Sequence, residues 1–221
     1  MSEALPDASA LDRAAAVMRD VRDRCVWTQQ MTHEELVPYL VEESAEVIEA
    51  VETGTSTDLR EELGDLLWQV LFHAEISARA GEFDIDDVAG DLADKMIRRH
   101  PHVFAGEVAR TPEEVLVHWN AAKAAEKRER RSVLDGIPAA MPALPRAQKV
   151  LGRASSVRVG PPTPGAEPVD EEQLGDALLA MVARARQHGW DAERALRRSV
   201  RALEDRVRAA EATQARSSER S

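Results

Sequence analysis

Two amphipathic stretches joined by a short turn constrain this chain more than any other feature. Taken at about 100° per residue, Leu36, Val47, Leu40, Val51, Val37, Ile48 and Val41 fill one continuous arc, and Leu66, Leu59, Val70, Leu63, Ala74, Leu67 and Leu71 fill a second. Between the arcs, "GTSTD" begins with a helix-stopping glycine and offers Thr57 or Asp58 as the next cap. So short a connection favours antiparallel packing. Each stretch carries an acid at the margin of its arc, Glu43 or Glu62, and another three residues on, Glu46 or Asp65. Facing one another, the four carboxylates would repel and lose hydration, an arrangement that persists when a hard divalent cation occupies it. Oxygen ligands without His or Cys favour Mg²⁺, with Mn²⁺ as a substitute. The competing reading is two solvated acidic faces. Gly64 weighs against it, because a mid-helix glycine costs about 1 kcal/mol relative to Ala and suggests close backbone approach.

The remaining chain also reads as helix. Stretches 8–24, 84–99, a helix starting at Thr111-Pro112, 171–188 and 191–210 carry helical patterning, and no useful length alternates with period two. Thr32 with Glu35 forms a capping box, after which Pro38 predicts a kink or a late start. Trp68 and Trp190 are assigned to packing. The fold class is all-α. Residues 1–131 are expected to form the catalytic domain, 132–170 a Pro/Gly-rich linker with a short helix, 171–212 a second repeat, and 213–221 a disordered tail.

That second repeat is an echo. "EELGDLLWQV" (Glu61–Val70) recurs as "EQLGDALLAM" (Glu172–Met181), with Gln173 in place of Glu62 and no preceding acidic helix. The second copy is therefore not expected to bind metal. A net charge of −11 argues against a nucleic-acid polymer as partner, while a small phosphorylated ligand remains open if a cation balances it. One cysteine, no basic apolar leader and no membrane-length apolar run predict a cytoplasmic protein with no membrane association. A di-iron bundle would need Glu-x-x-His pairs, and none of the six histidines lies three residues after a Glu.

"EESAE" followed by "ELGD" resembles the EExxE…ExxD signature of the MazG family of all-α nucleoside triphosphate pyrophosphohydrolases. "CVWTQQMTHEELVPYLVEE", "DKMIRRHPHVFAG", "EVLVHWNAAKAAEK" and "LDGIPAAMPALPRAQKV" look like segments of that family, in its order, across residues 10–155. The resemblance implies a helical bundle whose four-helix arrangement is completed by a second subunit, hence a homodimer. It also implies Mg²⁺-dependent hydrolysis of nucleoside triphosphates to the monophosphate and pyrophosphate, clearing surplus or noncanonical nucleotides. By position, Glu43, Glu46, Glu62 and Asp65 match the metal-binding acids, and Glu42 completes the motif. Lys95, Arg99, Trp119 and Lys123 match nucleotide-facing positions, and Trp27 lies in a region near the nucleotide.

The four-residue spacing of Lys95/Arg99 and of Trp119/Lys123 places each pair on one helix face. Glu42 or Glu46 is the candidate catalytic base, and the sequence does not choose between them. Trp119 reads equally as a core residue, and the "KAAEKRERR" run as a solvated helix end. Val26 and Thr28 depart from the family's usual Pro and its acid or amide. Two alternatives stand beside the main reading: a narrower dUTP- or dCTP-type pyrophosphatase, and a non-catalytic nucleotide-binding helical module. Retention of every matched acid and nucleotide-facing position disfavours the latter.

Overall fold

The computed structural model describes residues 9–126, 132–160 and 168–218. Among them there are helices and no strand, as the patterning predicts. The chain divides into two compact units, Met1–Glu126 and Lys127–Ser221.

In the first unit, α1 (Ala10–Arg24) leads through a 3₁₀ turn (Thr28–Gln30) to α2 (His33–Thr53) and α3 (Ser56–Ala80). Then come α4 (Ile85–Arg99), the single turn α5 (Pro101–Phe104) and α6 (Pro112–Ala125). Local sequence fixes most starts: Ser9/Asp12, Thr32/Glu35, Thr55/Asp58 and Asp84/Asp87 are reciprocal capping boxes, each satisfying two backbone donors a helix would otherwise orphan. Two starts differ from expectation. Thr55 caps α3, and Asp58 is the return partner of that box, accepting from the Thr55 N–H at 2.7 Å. Pro38 does not delay α2, which runs through it from His33.

The α2–α3 hairpin is the backbone of this unit. Its connection is tight: a Cβ on Gly54 would lie 2.8 Å from the Ala50 Cα, so a side chain there would displace the end of α2. Leu36 from α2 and Leu71 and Phe72 from α3 form a core with Met18 and Met31. Ala14, Ala15, Leu67, Trp68, Ile76 and Ile85 pack around them, consistent with the packing role read for Trp68. Each such large side chain removed from water contributes about 1.5–3 kcal/mol. Arg22 is buried against this core, donating to the Met31 carbonyl at 3.1 Å with its guanidinium 5.4 Å from the Phe72 ring centre.

The apolar arcs are buried much less completely than their periodicity implies. Val37, Val41, Ile48 and Val51 on α2, and Leu63 and Val70 on α3, are exposed, Val41 at 64% and Val51 at 65%. α1 packs on α3, and within the first unit no packing of α1 against α2 of comparable extent occurs among the described residues.

In the second unit, α7 (Ala143–Ala154) packs on α8 (Glu171–Gln187) and α9 (Ala192–Ser218). Leu151, Val182 and Ala183 form its core, so residues inside the 132–170 segment supply core side chains. Helix α9 continues to Ser218, past the Ala210 end expected from sequence and into the segment read as a disordered tail. Trp190 is not core: it is 61% exposed and stacks on His188, ring centres 4.6 Å apart. Among the described residues, no helix is long and apolar enough to cross a membrane.

Candidate active site

The antiparallel hairpin brings Glu43 of α2 against Glu62 and Asp65 of α3. Each offers a carboxylate oxygen, all within 4.8 Å of one another, and no other such acid or histidine group occurs among the described residues. Glu43 and Glu62 are half-buried and Asp65 is exposed. Partial burial, then the charges of Asp65 and Glu46, push the Glu43 carboxyl above its usual range, helped by a hydrogen bond that the protonated Glu43 carboxyl donates to Glu46. Desolvation, then Glu46 and Asp65, push Glu62 the same way. Glu46 therefore stands beside the trio and Glu42 next to it, acting on Glu43 through charge alone. Converging half-buried carboxylates with oxygen as their sole donor type suit a hard divalent cation.

Among the described residues of this chain, nothing approaches Gly64 closely. A Cβ there would meet nothing within 4 Å in this chain. Leu63 beside it is likewise exposed.

Trp27 caps the 3₁₀ turn, half exposed, with ring centre 5.8 Å from Tyr39 and 6.4 Å from Phe72, both edge-on. The neighbouring departure, Thr28, is buried and donates to the Val21 and Cys25 carbonyls at 3.0 Å. It ties the turn to the end of α1.

Lys95 and Arg99 lie on α4, Trp119 and Lys123 on α6, and these helices pack together. The Arg99 guanidinium lies 5.1 Å from the Trp119 ring centre, a cation–π contact. His100 meets the same indole edge-on at 5.1 Å. Arg99 also donates to Glu126 through Nη2 at 2.6 Å and Nε at 3.1 Å. Glu126 is thus no freely solvated member of a charged run, and its hydrogen bond from Arg99 holds its carboxyl below the usual range. Sequence alone does not expose this contact because the partners are 27 residues apart.

A second feature hidden from sequence is a histidine pair. His33 and His73 stack with ring centres 5.0 Å apart and Nδ1 atoms 2.7 Å apart, and His33 Nε2 lies 3.3 Å from the Ser77 hydroxyl. His73 Nε2 is buried without a partner. A bare nitrogen there costs less than a stranded N–H, which assigns the proton of His73 to Nδ1, donating to His33. Burial, then the neighbouring His33, hold His73 below the usual histidine range.

Comparison with known proteins places the chain in a family. The MazG nucleotide pyrophosphohydrolase domain matches residues 31–104, which include all the motif acids, Lys95 and Arg99. The chain is 44% identical over 211 residues to an uncharacterized 26.1 kDa protein in the blaB 3' region of Streptomyces cacaoi, covering 94% of this chain and 84% of that one. It is 37% identical over 228 residues to the nucleoside triphosphate pyrophosphohydrolase of Escherichia coli K12, covering 91% and 87%. To the nucleoside triphosphate pyrophosphohydrolase/pyrophosphatase MazG of Thermotoga maritima it is 35% identical over 217 residues, covering 89% and 84%. With relatives of this closeness aligned along nearly their whole length, the chain belongs to the MazG family.

Proposed function

We propose that this chain is a Mg²⁺-dependent hydrolase that cleaves the α–β bond of nucleoside triphosphates, releasing the monophosphate and pyrophosphate. The observation that carries the reading is the convergence of Glu43, Glu62 and Asp65 across the hairpin, within 4.8 Å. These three with Glu46 would hold the cation, which when bound neutralises phosphate charge and lowers the pKa of a water. Glu42 or Glu46, beside the trio, is the candidate to accept a proton from the attacking water. Lys95, Arg99 and Lys123 offer cationic donors to phosphate oxygens, while Trp119 and Trp27 offer aromatic surface to the base.

The same reading accounts for the exposed side of the hairpin. Val37, Val41, Ile48 and Val51 form a stripe that a second copy of the chain would cover, making a homodimer whose active arrangement has four helices.

The test is turnover of a panel of ribo- and deoxyribonucleoside triphosphates, with and without Mg²⁺, with products identified. Monophosphate and pyrophosphate formed in the presence of Mg²⁺ are expected. Orthophosphate as the product, or no turnover of any triphosphate, would overturn the reading.

A further inference from the structure

Glu126 engages the arginine that the proposed function assigns to phosphate. One of its oxygens takes two donors from Arg99, Nη2 at 2.6 Å and Nε at 3.1 Å, and the other lies 3.5 Å from Arg98 Nε. Two neighbouring arginines at the end of α4 therefore converge on one carboxylate. The guanidinium fork that holds it matches phosphate oxygens equally well. Arg99 in turn lies over the Trp119 indole, with His100 against the same ring. Two residues assigned to the nucleotide are thus engaged with each other, and the guanidinium is held by an internal anion.

We infer that Glu126 is a displaceable latch, an internal carboxylate that holds Arg99 until nucleotide phosphate takes its place. The inference rests on the assignment of Arg99 to phosphate binding.

Three observations favour displacement over a fixed strut. Glu126 directly follows Ala125, the last residue of α6, so its side chain can swing away without unwinding the helix. The Arg98 arm is a screened pair at 3.5 Å with Arg98 57% exposed, so displacement has chiefly to release the closer Arg99 arm, whose side chains are 12% and 24% exposed. Arg98 and Arg99 also complete the last turn of α4, where the helix dipole already favours cations, so that end is not left uncompensated when Glu126 leaves.

The latch would also discriminate by charge. Glu126 cancels one of the two arginine charges, so an anion must be more strongly charged than a single carboxylate to displace it. A triphosphate meets that condition far better than a nucleoside monophosphate product. Glu126 is a positioning residue: it acts through Arg99 and touches no reacting atom.

The experiment compares wild type, Glu126→Gln and Glu126→Ala by calorimetric titration with inorganic tripolyphosphate, alongside steady-state kinetics. Removing the charge should tighten tripolyphosphate binding about three- to tenfold, lower KM for nucleoside triphosphates similarly, and strengthen inhibition by the monophosphate. Adding Arg99→Gln to Glu126→Gln should abolish the gain. Unchanged or weaker tripolyphosphate binding in both single variants would overturn the latch and leave Glu126 a structural contact. If no form hydrolyses any triphosphate while Glu126→Gln still binds tripolyphosphate more tightly, the hydrolase reading fails and the latch survives.

Discussion

Glu61–Val70 of α3 and Glu172–Met181 of α8 share a sequence pattern and a helical conformation, yet they do different things. In α3 the pattern begins well inside the helix, alongside α2, so Glu62 and Asp65 meet Glu43 and become a charged cluster. In α8 it begins in the first turn. Gln173, at the position of Glu62, accepts the Val169 N–H at 3.3 Å while its own backbone N–H donates to Asp170. The same register that supplies a candidate ligand in one repeat supplies a helix start in the other. Asp176, equivalent to Asp65, belongs to no acidic trio among the described residues. A carboxylate gains a chemical role here from the helix opposite it, rather than from its own motif.

The strongest way to break that comparison is to neutralise both aspartates. Asp65→Asn should lower triphosphate turnover at least about a hundredfold and weaken Mg²⁺ uptake measured by calorimetry. Asp176→Asn should leave both unchanged, and a matching loss there would show that the second repeat does share the chemistry.

A smaller effect is expected from the uncovered side of the hairpin. Val41→Glu should shift the chain to a monomer in sedimentation equilibrium and cut turnover about tenfold, because a charge would be buried at the junction between copies. A wild-type chain that sediments as a monomer would remove the dimer from the account.

The mildest prediction opposes the two ends of the hairpin by pH. His73 binds its proton less readily folded than unfolded, so its stabilising contribution is present above about pH 6.5 and is lost as pH falls toward the lower folded value. Glu43 and Glu62 act in the other direction: their raised folded pKa values make the metal-free chain gain stability as pH falls toward the ordinary carboxylate range. Melting temperatures between about pH 7.5 and pH 5.5 should therefore fall less steeply in His73→Gln than in wild type. An identical slope would show that the histidine pair is not the titrating element.

Much of this was legible because it is local. Helical periodicity, the capping boxes and the spacing of the paired acids all act within a few residues, and the helices form where those signals lie. What was not legible depends on distant contacts. The arc of α2 gives no sign that Val37, Val41, Ile48 and Val51 stay exposed among the described residues, since the placement of α1 against α3 is a distant contact. Gly64 likewise gives no sign that nothing among the described residues of the chain approaches it. His33 and His73 are 40 residues apart, and Glu126 sits in a charged run indistinguishable in sequence from a solvated one. Thr57 and Asp58 were reasonable cap candidates, but the reciprocal geometry at Thr55 satisfies the end of α3 more completely.

The tight turn at Gly54 has a consequence for how the protein can vary. Glu43 precedes this glycine by eleven residues and Asp65 follows it by eleven, so the two carboxylates stand level, about 16 Å from the bend on opposite rails. Surface connections ordinarily tolerate added length. Here the bend is a ruler, and a single inserted residue that slid one rail against the other would stagger the acids by about 1.5 Å and turn one of them by about 100°.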